Sequence, residues 1–75
     1  MSLKSKFSSE LYRARKNHKY TQRDVASKME ITEQYYQRIE SGKCQPSLNL
    51  FLALTDFLDI DANQFKKEVR KNEIK

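Results

Sequence analysis

Seventy-five residues suit one domain with a modest core, and no separate catalytic or sensor domain is expected. The single cysteine, Cys44, excludes an intramolecular disulfide, and no Cys/His cluster has metal-ligand spacing, so no metal and no cofactor are expected. The formal net charge of +5 arises before Cys44, where ten of the fifteen Lys/Arg and five of the ten acids lie, so the positive field is placed as a polyanionic partner would require.

One glycine and one proline among many Leu, Lys, Glu, Arg and Gln make the local preference helical throughout, and an all-α fold is expected over a single domain, residues 1–75. Phe7, Leu11, Ala14 and His18 recur at helical spacing, which predicts a first helix over residues 5–17 with a narrow apolar face. Thr21 followed three residues later by Asp24 is a variant capping box, and Val25, Ala26 and Met29 form one stripe behind it. A short second helix over residues 22–29 follows. Thr32 caps a third helix over residues 33–40, with Glu33 in its first turn and Ile31 poised as a hydrophobic staple against Tyr36. Ser41 and Gly42 end it, the glycine being free to turn left-handed.

Beyond Pro46, Ser47 caps a fourth helix on which Leu48, Phe51, Leu54, Thr55 and Leu58 share a face. A fifth helix from Asp61 carries Phe65 and Val69 inward before a charged tail over residues 70–75. The apolar-rich run from Leu48 to Leu58 is too short to cross a bilayer, and neither a membrane anchor nor a leader peptide is expected. A reducing, cytoplasmic setting suits the lone thiol.

Only Glu30, Ile31 and Thr32 separate the second and third helices, which is the spacing of a helix-turn-helix. Thr21-Gln22, Val25-Ala26, Met29, Ile31-Thr32, Tyr36, Ile39-Glu40, Gly42-Lys43 and Pro46-Ser47-Leu48 make the match specific. By these residues the chain resembles the Cro/repressor-type (XRE-like) helix-turn-helix regulators, over roughly Leu11 to Phe65. The resemblance implies a five-helix, lambda-repressor-like domain with a family-like core over about residues 7–69. It also implies a repressor-like regulator that reads double-stranded DNA in the major groove with residues 33–40.

Carried over by position, the resemblance makes Glu33, Gln34 and Arg38 base-reading residues, with Tyr35 and Gln37 flanking them. Gln34 suits adenine and Arg38 suits guanine, whereas Glu33 either accepts from cytosine or simply complements the helix dipole. Gln22 matches a phosphate-binding glutamine, and Ser41, Gly42 and Lys43 match a phosphate-holding turn. Lys16, Lys19, Arg23 and Lys28 are further phosphate candidates, each weighed against ordinary solvated charge. Arg15 and Glu40 match a family salt bridge joining the first and third helices, a structural pair, and Tyr36 falls at a core position.

Three departures stand out. Glu30 occupies a turn position where the family commonly has glycine, and Ala14 replaces a larger apolar residue. Leu50, Leu52 and Phe57 exceed what one core needs, which makes them candidates for the contact of a homodimer on a near-palindromic operator; alternatively Leu52 and Phe57 cover other parts of the same chain. Two other functional classes compete. A protein-protein interaction module would use the same fold without DNA, and RNA binding would lack the stacking sheet it usually employs. An enzyme is not expected: one His, one Cys and no glycine-rich loop leave nothing to activate a nucleophile.

Overall fold

The computed structural model describes residues 3–65, with side chains from Lys6 onward. Helix α1 spans Leu3–Asn17 and buries Phe7, Ser8, Leu11 and Arg15, a stripe two helical turns long. Contrary to the simple apolar spacing, Ala14 is only half-buried and His18 lies beyond the helix end. The inward place is taken by Arg15, because its charge meets a buried acid on α3. Helix α2 (Gln22–Met29) begins in a complete capping box: Thr21 Oγ1 accepts from the Asp24 N–H at 3.0 Å, and Asp24 Oδ2 accepts from the Thr21 N–H at 2.9 Å. The backbone and hydroxyl of Thr21 hold the Asp24 carboxyl below its ordinary pKa.

Helix α3 (Glu33–Glu40) starts where Thr32 Oγ1 accepts from the Tyr35 N–H at 3.0 Å, and α4 (Leu48–Phe57) where Ser47 Oγ accepts from the Leu50 N–H at 3.2 Å. A single 3-10 turn, Ala62–Phe65, stands where the fifth helix is expected to begin. Four α-helices are therefore seen among the described residues; the remainder of the expected fifth, including Val69, and the charged tail over 70–75 lie outside them.

All four helices exit in the same way. The residues Lys19 (φ 62°), Glu30 (φ 59°), Gly42 (φ 82°) and Asp59 (φ 58°) are left-handed. The next N–H returns to the carbonyl five residues back: Tyr20 to Arg15, Ile31 to Ala26, Lys43 to Arg38 and Ile60 to Thr55. This is the Schellman closure, and three of its four left-handed positions lack glycine. Glu30 thus adopts the conformation that a glycine would reach more cheaply, and the turn keeps its geometry. Tyr20, Ile31 and Ile60 each pack partly buried against the core just after the turn, the apolar contact that usually accompanies this closure.

The core comprises Phe7, Leu11, Val25, Ala26, Tyr36, Ile39, Leu54, Leu58 and Phe65, all at 2% exposure or less. At one end Phe7, Phe51 and Phe65 form a ring trio with centroids 4.8–5.6 Å apart, joining α1, α4 and the 3-10 turn. Phe57 is engaged within the chain, stacked on Tyr20 at 5.1 Å, and Tyr20 in turn stacks on His18 at 5.7 Å. Leu48 breaks the expected pattern. By helical spacing it shares a face with Phe51, Leu54 and Leu58, yet it is 65% exposed. Leu52 is also exposed, and Leu50 is half-buried.

Candidate nucleic-acid interface

Helix α3 packs on α1 and α2 through Tyr36 and Ile39, which are fully buried. Its opposite side carries Glu33, Gln34, Gln37 and Arg38, all exposed and spaced i, i+1, i+4, i+5. One polar stripe with a paired-amide donor, a guanidinium and a carboxylate therefore faces outward from a rigid support. Tyr35 does not share that stripe. It is half-buried against the core and lines a shallow groove with Lys28, Met29, Ile31, Ser47, Asn49, Leu50 and Ala53.

What aims the stripe is a cluster at the end of α3. Glu40 Oε2 accepts from Arg15 Nε at 2.7 Å and from the Tyr36 hydroxyl at 2.6 Å, while Oε1 accepts from Arg15 Nη2 at 2.9 Å and Gln22 Nε2 at 3.1 Å. Arg15 also donates from Nη1 to the Tyr20 carbonyl at 2.8 Å, so the turn leading into α2 is tied to the same group. Side-chain exposures of 10% for Arg15 and 5% for Glu40 place the pair inside, where its bidentate geometry has directional force. Burial pushes the Glu40 carboxyl up, but the hydrogen bonds from Arg15, Tyr36 and Gln22 outweigh it and hold the pKa below the ordinary value. Burial and the bond to Glu40 raise the Tyr36 hydroxyl far above its usual range. The hydrogen bond to Glu40 likewise raises Arg15.

The expected phosphate residues lie on α2 and around the C-terminal ends of α1 and α3. Gln22 sits at the start of α2 with its amide committed to Glu40. Together with Arg15, Lys16, Lys19, Tyr20, Thr21 and Glu33 it lines an open basin of 570 Å³ that runs from α1 to the first residue of α3. Arg23 and Lys43 are exposed. Ser41 is exposed too, but its hydroxyl turns back to the Arg38 carbonyl at 3.2 Å. Lys28 instead stands over the Phe57 ring at 5.8 Å, on the side of α2 facing α4. Gly42 comes close to α1, where an added Cβ would meet Ser8 Oγ at 3.3 Å.

Two features of this site were not visible from residue types alone. The Gln22 amide reaches a partner eighteen positions away, and the Tyr36 hydroxyl gives a core residue a polar role. The available clue was a tyrosine at an apolar position, four residues before an acid. Among the described residues, no group of three or more His, Cys, Asp or Glu is arranged to hold a metal ion, and no helix is long and apolar enough to cross a membrane. Residues 11–65, well over half of the chain, match a family model described as helix-turn-helix. Neither the curated proteins nor the solved structures give a match.

Proposed function

Because the chain belongs to the Cro/C1-type, XRE-like helix-turn-helix family, we propose that it is a sequence-specific, repressor-like regulator that lays α3 in the major groove of double-stranded DNA. The observation that carries this reading is the exposed stripe of Glu33, Gln34, Gln37 and Arg38 on a helix clamped through Glu40. Gln34 contacts adenine and Arg38 guanine, each pair supplying about 1–3 kcal/mol of discrimination, with Glu33 and Gln37 at the edges and Tyr35 set back from them. Lys19, Arg23 and Lys43 set the register on backbone phosphates, joined by the second amide hydrogen of Gln22, whose Nε2 also serves Glu40, and by the Ser41 hydroxyl once it turns from the Arg38 carbonyl. The protein acts in the cytoplasm as a binding protein rather than an enzyme.

A single domain reaches one half-site, so a two-fold dimer would set two copies of α3 about 34 Å apart on a near-palindromic operator. Leu52 and Leu50 remain the contact residues for that dimer. Exposed Leu48 joins them, while Phe57 is largely occupied by Tyr20. Selection from random duplex oligonucleotides tests the whole reading. A short, roughly palindromic site is expected, with site preference lost in Gln34→Ala and Arg38→Ala while folding survives. Wild-type preference in both variants would reject the assigned face, and affinity indifferent to salt would favour a protein partner instead.

A further inference from the structure

Among the tyrosines and phenylalanines of the described residues, Tyr12 of α1 alone is exposed, at 51%. Two cations lie near its ring, the Arg15 guanidinium carbon at 5.5 Å from the centroid and Lys16 Nζ at 6.0 Å. The two cations differ in kind. Arg15 is neutralised by Glu40, whereas Lys16 is exposed, one turn beyond Tyr12, and also lines the basin that reaches Glu33. Lys19 continues the same rim, one turn further on. From Tyr12 and Lys16 on α1 to Lys19 just past its end runs a strip of a phenol and two ammonium groups, with Glu33 as the acid among the residues lining the basin beside it.

Through the shared basin the lysines of that strip reach Glu33 at the N-terminal end of α3, the end that contacts base edges in this type of docking. We propose that Tyr12 and Lys16 extend the phosphate contacts beyond the helix-turn-helix proper, holding the DNA strand that borders the major groove on the α1 side. The inference rests on the DNA-binding reading above. Lys16 neutralises a backbone phosphate, and the Tyr12 O–H donates to a phosphate oxygen while the ring keeps Lys16 beside it. Such contacts carry no base preference, so they raise affinity for all duplexes alike.

Anisotropy titrations of Lys16→Gln, Tyr12→Phe and Arg38→Ala, on the selected site and on random duplex over a range of salt, test it. Lys16→Gln should flatten the log-log salt slope by about 0.9 and weaken both duplexes equally. Tyr12→Phe keeps the ring over Arg15, so it should weaken both by about threefold to tenfold with the slope and the unfolding midpoint unchanged. Wild-type affinity and slope in both α1 variants, alongside lost site preference in Arg38→Ala, would overturn the strip and leave the DNA reading intact. A wild-type chain that binds no duplex would overturn both.

Discussion

The two ends of the core work by different physics. At one end Phe7, Phe51 and Phe65 bury rings against each other, and at the other Arg15, Gln22 and Tyr36 converge on Glu40. Apolar burial is strong but almost indifferent to direction, so the ring trio stabilises the fold without dictating the angle of any helix. Hydrogen bonds at 2.6–3.1 Å to one carboxylate are directional, and they tie α1, α2 and α3 together at the point from which the polar stripe is aimed. Stability and aim are therefore separable, and mutations should separate them.

The largest expected effect is at the ring trio. Phe65→Ala should lose about 3–5 kcal/mol of unfolding free energy in urea titrations, a large share of what a domain this small possesses. Conditions that restore its folding should restore DNA affinity in full. Glu40→Ala should lose about 3 kcal/mol, because it strands the Arg15 charge, and its affinity should stay low even where the chain is folded. Arg15→Met combined with Glu40→Leu should recover much of the stability without the affinity. If the double variant binds normally, the cluster does not aim α3.

Acid sharpens the comparison further. The Glu40 pKa is depressed in the folded state, so its contribution is present above the usual carboxylate range near pH 4.3 and is lost as pH falls through the lower folded value. Unfolding free energy measured against pH should fall in that window, and Glu40→Gln should flatten the fall; a Phe65→Ala chain should keep it. Tyr36→Phe should cost about 1–2 kcal/mol, since Glu40 keeps its other donors. Smallest, and of opposite sign, is Glu30→Gly, expected to gain up to about 1 kcal/mol by relieving a left-handed non-glycine residue, read as a higher urea midpoint.

Helix starts were legible from residue types because capping is local chemistry: Thr21, Thr32 and Ser47 each satisfy an N–H within three residues. The bounds of α2 and α3, and with them the outward stripe, follow from those caps. Coverage was less legible. Helical spacing identifies which residues share a face, but not how far the neighbours extend, so Leu48 emerged in solvent and Ala14 at a half-buried edge. The left-handed exits at Lys19 and Asp59 carry no glycine to mark them; their only trace is the apolar Tyr20 and Ile60 that follow. Long-range polar partners such as Gln22 with Glu40 need the packing of helices before they can be seen.

The close seat of Gly42 against Ser8 has a consequence for how such a protein could diversify. The segment that leaves α3 passes α1 with room for little more than a Cβ, which would meet Ser8 Oγ at 3.3 Å. A larger side chain at position 8 would act as a shim under that segment and tilt the rod that it follows. On the proposed DNA-binding reading, a substitution at position 8 would then alter site preference without changing any side chain of the outward stripe.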